Sequence, residues 1–168
     1  VAVEPPPRSA LDQHLPELWL AGRPSAVELH TEALSYSARG VLGTDEVWRR
    51  ALRADDNSLR FLVLPDEWQL LHALLNHQVS DRGHVRRLLA IRPLWELAML
   101  GGGLSEHAWR TVAEHAAAKG AGDILASWLI QAQRLLALAC PSAVALPPAA
   151  RRHAQQTLAH AHAPDWWR

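Results

Sequence analysis

Apolar residues recur along most of this chain at helical spacing, and over one short stretch they alternate with polar ones instead. The most regular pattern runs Ile124, Leu125, Trp128, Leu129, Ala132, Leu135, Leu136 and Ala139, which predicts a long amphipathic helix capped at Asp123. Ser105 is the expected cap of another helix reaching about Lys119, with Trp109, Val112 and Ala116 on one side. Earlier, Leu70, Leu71, Leu74 and Leu75 share one arc with Gln78 in its middle, behind a capping-box pattern of Asp66 and Gln69. Val85, Leu88, Leu89 and Ile91 carry the apolar pattern past the Asp81-Arg82-Gly83 turn to Pro93, where a kink or a fresh start is expected. Gly101-Gly102-Gly103 is expected to end the next segment in a left-handed conformation.

Thr44 is the predicted cap of a helix over residues 45–53, closed by Asp55-Asp56-Asn57. Pro147-Pro148 starts a last, Ala-rich helix from about Ala149 to His160, expected to dock only loosely. Period two appears where Val27, Leu29, Thr31 and Ala33 alternate with Glu28, His30 and Glu32, which predicts a strand over residues 26–34. Phe61-Leu62-Val63-Leu64 fits either a second strand or a buried entry to the next helix.

These elements predict a mainly α protein, a helical bundle of about five to six helices with a small N-terminal β element of one or two strands. Residues 1–10, with three consecutive prolines, form an extended lead-in. Residues 11–140 make a single helical domain carrying the N-terminal strand, and residues 141–168 a C-terminal helix and tail.

Composition narrows the class. A chain of 168 residues suits one buried core. Lys and Arg equal Asp and Glu at 17 each, so no global positive field attracts nucleic acid or an anionic membrane. No apolar run approaches the roughly 20 residues of a membrane span. The single cysteine, Cys140, excludes an internal disulfide framework and fits a reducing, cytoplasmic setting. The start lacks the basic-then-apolar order of a signal peptide and an initiator Met, which leaves a processed product or a piece of a longer chain open.

Candidate chemistry is sparse. No P-loop, GxGxxG, GxSxG, CxxC or HExxH pattern occurs, and Cys140 reads as inert. Glu28, His30 and Glu32 on one strand face are either a solvated surface or a site. His72 and His77 lie about 140° apart on an α-helix, which excludes joint chelation and leaves His77 the better candidate for a cleft. Glu96 sits among apolar residues and needs a basic partner, for which Arg92 one turn earlier is placed. His153, His160 and His162 read as solvated side chains on a polar helix.

The order of elements adds to this. Gln13-His14-Leu15-Pro16-Glu17-Leu18, then Val27-Glu28-Leu29-His30, Leu64-Pro65-Asp66-Glu67, Leu71-His72-Ala73-Leu74-Leu75-Asn76-His77, Val85-Arg86-Arg87-Leu88-Leu89 and Leu94-Trp95-Glu96-Leu97-Ala98 resembles a family of uncharacterised bacterial nucleotidyltransferase-like proteins. That family looks like a branch of the polymerase-β-type nucleotidyltransferase superfamily, and the resemblance covers about residues 11–135. It implies nucleotidyl transfer from a nucleoside triphosphate by two metal ions that neutralise the transferred phosphoryl group. Glu28 then stands where a strand carboxylate holds Mg²⁺, with His30 beside it as a catalytic residue. His77, His84, Arg92 and Glu96 become the residues that meet the nucleotide or acceptor. The superfamily's Gly-Ser turn and Asp-x-Asp strand are absent, so the resemblance implies either a catalytic half upstream of Val1 or a protein that does not catalyse. The alternative is a non-catalytic helical interaction or scaffold module that holds a protein partner through its Trp-rich helices.

Overall fold

Seven α-helices and two pairs of short antiparallel strands make up the computed structural model, which describes residues 15, 18–19, 22, 26–27, 29–56 and 59–162. The mainly α class expected from the hydrophobic pattern is the observed one, with more helices than the five to six expected. The 1–10 lead-in, Glu28 and Trp166-Trp167 lie outside the described residues.

Strand β1 (Leu18–Trp19) pairs with β2 (Ala26–Val27), Leu18 opposite Val27. The predicted strand over residues 26–34 is thus only two residues long, followed by an isolated bridge position at His30. From Thr31 the chain bends because side chains compete for its backbone. The amide of Ala33 donates to Thr44 Oγ1 at 2.9 Å, and the Thr44 hydroxyl donates to the Glu32 carboxylate. This bend delivers Leu34 to the core, followed by Ala38 and Leu42, all fully buried. Thr44 therefore serves the loop and not the helix end: Gly43 occupies the cap position without a side-chain bond.

Helix α1 (Thr44–Arg50) stops three residues before the expected end, because Leu52–Asp56 forms strand β3 and pairs with β4 (Leu59–Val63), Leu52 opposite Val63. The Phe61 run is therefore a strand, but its partner is β3 rather than the N-terminal strand, and Leu52, Phe61 and Leu62 stay exposed. Helix α2 (Asp66–Leu75) buries Trp68, Leu70, Leu71, Leu74 and Leu75. Gln69 does reach back, though to the Leu64 carbonyl at 2.6 Å, and Pro65 rather than Asp66 holds the cap position.

A π-helical turn (Asn76–Ser80) then leads to the four-residue α3 (Gly83–Arg86), bracketed by left-handed Arg82 (φ 60°) and Arg87 (φ 53°). Gly83 packs so closely there that a Cβ on it would stand 2.5 Å from the His77 carbonyl oxygen. Pro93 gives the fresh start expected of it, in the first turn of α4 (Ile91–Gly103). The three glycines do not close that helix in a left-handed cap; it runs through them and ends at an extended Leu104. Gly101 is needed for a different reason. A Cβ there would lie 2.7 Å from Trp109 Cζ2, and the Trp109 indole N–H donates to the Gly101 carbonyl at 3.2 Å.

Helix α5 (Glu106–Ala118) is capped by Ser105 as expected, its Oγ accepting from the Ala108 amide at 3.2 Å. Helix α6 (Gly122–Leu136) is the centre of the molecule, packing on α4, α5 and α7 (Pro148–His162), while α2 packs on α4 and α5. Each fully buried Leu in this core is worth about 1.5–3 kcal/mol. The last helix is firmly docked, not loose: Ala150, Ala154 and Thr157 are buried, and the alanines cluster with Ala126 and Ile130 of α6. Among the described residues no helix is long and apolar enough to cross a membrane.

Candidate functional site in the groove between α2 and α4

Helix α4 carries two apolar rows. Leu94, Leu97 and Gly101 form the inner, buried row. Ile91, Trp95 and Met99, one turn apart, form an outer row that is 57%, 57% and 63% exposed. Trp95 and Met99 line a cavity of about 510 Å³ together with Leu64, Gln69 and Leu100. A second cavity of about 420 Å³ is bordered by Asn76, His77 and Arg92. His72, Ala73 and Glu96 border both, so the two form one groove with an apolar half and a polar half.

The polar half is a chain of charges. Arg92 Nε donates to Glu96 Oε1 at 3.1 Å, which supplies the partner Glu96 was expected to need. His77 stands between two carboxylates, Nε2 4.0 Å from Glu96 Oε2 and Nδ1 3.3 Å from Asp81 Oδ2. Two carboxylates, Glu96 and Asp81, thus stand with one guanidinium, Arg92, around His77 at the polar end. Such an end favours a cation or a donor group. His72 Nε2 donates to the Ala33 carbonyl at 2.8 Å and pins the loop after β2 against the groove wall. His72 and His77 border the same cavity although α-helical spacing separates them, because the wider winding from Asn76 onward changes the phase.

Three expected substrate-facing residues, His77, Arg92 and Glu96, are therefore neighbours. His84 is not with them. Its ring stacks on His153 with centroids 3.7 Å apart and planes 12° from parallel. His153 Nε2 donates to the His84 carbonyl at 2.8 Å, and its Nδ1 accepts from the buried Ser127 hydroxyl at 2.8 Å. His153, expected to be solvated, is thus a half-buried link between α3, α6 and α7, while His160 is exposed as expected. Burial pushes the His84 imidazole down to about 4, the adjacent His153 and Arg87 add to this, and Asp123 opposes it. Its Nδ1 is buried with no hydrogen-bond partner. His84 is packed against α7, apart from the groove that holds His77, Arg92 and Glu96.

His30 is exposed beside β2. Among the described residues no three His, Cys, Asp or Glu side chains are placed to hold a metal ion, and Glu28, the expected Mg²⁺ ligand, is not among those residues. Burial raises the Cys140 thiol above its ordinary value, in keeping with an inert cysteine. A separate polar cluster is structural: Arg50 lies 3.4 Å over the Trp68 ring and bonds Glu46 at 2.7 Å. Although partial burial of Glu46 works the other way, the Arg50 hydrogen bond and the charges of His115, Arg50 and Arg49 hold its carboxyl below the usual range.

Trp95 and Met99 are the groove residues that the hydrophobic pattern did not single out. Their signal was present in the sequence as a second apolar row four residues apart. A helix that is apolar on more than one face has a second surface to cover. No protein-family model, no curated protein and no solved structure matches this chain.

Proposed function

We propose that the protein is a non-catalytic interaction module whose α2–α4 groove receives an amphipathic helix of a protein partner. The observation that carries this reading is the exposed pair Trp95 and Met99 lining the groove, whose polar end places two carboxylates, Glu96 and Asp81, about His77. Apolar residues spaced one turn apart on the partner would lie on Trp95 and Met99, as in helix-in-groove recognition. A Lys or Arg beyond them would reach Glu96 and Asp81. Met99 is the sole methionine of the chain, so its ε-methyl gives an unambiguous nuclear magnetic resonance signal. A synthetic Leu-bearing amphipathic helix with one terminal Lys is expected to shift that signal saturably. Trp95→Ala should abolish the response, and replacing the peptide Lys by Glu should weaken it. An unchanged Met99 signal, or a response indifferent to Trp95→Ala, overturns the reading.

A second reading, a portion of a nucleotidyltransferase, is favoured by the meeting of His77, Arg92 and Glu96 at one cavity. In it Glu28 holds Mg²⁺, His30 lies beside the chemistry, and Arg92 and His77 bind the triphosphate or orient the acceptor. The bound Mg²⁺ would supply charge neutralisation at the transferred phosphoryl group. Calorimetry with Mg²⁺ and each nucleoside triphosphate should then show heat that His77→Ala and Glu28→Ala reduce. Complete absence of binding removes this reading.

A further inference from the structure

The chain is neutral overall, yet residues 124–162 contain Arg134, Arg151 and Arg152 and not one Asp or Glu. Folding concentrates part of that excess. Arg134 from α6 and Arg151 from α7 line a cavity of about 270 Å³ with Gln133, Gln155, Ile130 and Leu158. Arg151 Nε donates to the Leu146 carbonyl at 3.1 Å, which anchors the side chain and leaves its two terminal nitrogens for other acceptors. Among the described residues neither Arg134 nor Arg151 has a carboxylate within salt-bridge range. Two guanidinium forks, flanked by two carboxamides, form a donor-rich wall. Ile130, nearly fully buried, and Leu158 form an apolar one.

The geometry points to a second binding site, between α6 and α7, for a small phosphate monoester with a compact apolar group. Guanidinium forks match phosphate oxygens with paired, charge-assisted hydrogen bonds, which a dianion exploits more fully than a monoanion. Ile130 and Leu158 would cover the ester's carbon side. The volume lies just under the roughly 300–1,000 Å³ usual for small-molecule pockets, which suits a single small ester. This site lies away from the α2–α4 groove and shares no residue with it.

Phenyl phosphate is a suitable probe, titrated calorimetrically into the whole chain at low salt beside inorganic phosphate and phenol. One-to-one binding of phenyl phosphate is expected, weaker binding of inorganic phosphate, and none of phenol. Arg134→Gln should weaken phenyl phosphate by about tenfold or more, as expected for loss of a hydrogen-bonding charge. Leu158→Ala should weaken phenyl phosphate while leaving inorganic phosphate unchanged. Arg110→Gln, an exposed arginine on α5, should change neither, and circular dichroism reports whether each variant is folded. The assignment is overturned if phenyl phosphate gives no heat, if Arg110→Gln weakens it as much as Arg134→Gln, or if only a single-stranded oligonucleotide binds this face.

Discussion

His77 and His84 are seven residues apart in sequence and stand in opposite company. His77 lies at the mouth of an open groove between two carboxylates. His84 lies in a closed seam, stacked on a second imidazole with a buried nitrogen unbonded. The first ring is open to solvent beside carboxylates, and burial of the second disfavours its charged form. Residue type therefore says little about histidine function until the neighbouring charges and solvent access are known. The groove is an open surface, whereas the seam is a joint that holds α7 to the body.

The most direct way to break this contrast is to remove one histidine from each side. His153→Ala takes the acceptor from the fully buried Ser127 hydroxyl and the stack from His84, and should cost about 2–3 kcal/mol in urea unfolding. His77→Ala, losing only partly exposed ion pairs, should cost less than about 1 kcal/mol. Equal losses would erase the distinction between joint and surface.

Acidification sharpens it. His84 is pushed down to about 4 in the folded protein, from an ordinary value of 6.5. As pH falls from 6.5 towards 4, the unfolded chain takes up a proton that the folded seam refuses, so stability drops through that window. Above it, His84 is neutral in both states and the full stability is present. With allowance for partial solvent access, the drop is about 1–2 kcal/mol. Denaturation midpoints at several pH values should show it as a difference between the wild type and His84→Leu, since carboxylate titrations common to both cancel. A difference that stays constant over the window contradicts the closed-seam description.

Smaller again is Glu96→Gln. Arg92 is 90% exposed, so breaking this pair should move stability by no more than about 0.5 kcal/mol. The same variant should reduce binding of the Lys-bearing peptide severalfold by removing one of the two carboxylates at the groove's polar end. A large stability loss without any binding change would make Glu96 a structural residue.

The parts of this fold readable from the chain are those decided within a few residues. Ser105 caps its helix, Pro93 lies in the first turn of one, and the apolar arc of α6 faces the core from Leu125 to Ala132, because capping, proline geometry and helical phase are local. Asp123, the expected cap, lies inside the helix, which ends at Leu136 with Leu135 exposed and so stops short of Ala139. The β3–β4 hairpin was not read. Asp55-Asp56-Asn57 serves equally as a helix stop and as the approach to a hairpin turn, and exposed Phe61 and Leu62 look like core residues in sequence. The candidate site was legible in pieces. Arg92 and Glu96 are one turn apart, so their pairing was expected. Asp81 joins through His77, four residues before it, a spacing that puts two side chains on one side of a helical turn. His153 was read as solvated because its partners, Ser127 and His84, lie 26 and 69 residues away. No local signal carries such contacts.

The corner at α3 has a consequence for anyone wishing to cut, extend or rejoin this chain. Arg82 and Arg87 hold left-handed conformations that cost an ordinary residue about 1–2 kcal/mol, and Gly83 between them admits no side chain beside the His77 carbonyl. Relieving that cost with Arg82→Gly, an exposed position, should raise the unfolding free energy slightly, by about 0.5 kcal/mol. Sequence inserted at this bend would separate the helix bearing His77 from the segment that docks α7. As a place to splice in a tag or open a permuted terminus it is a corner post rather than a gate.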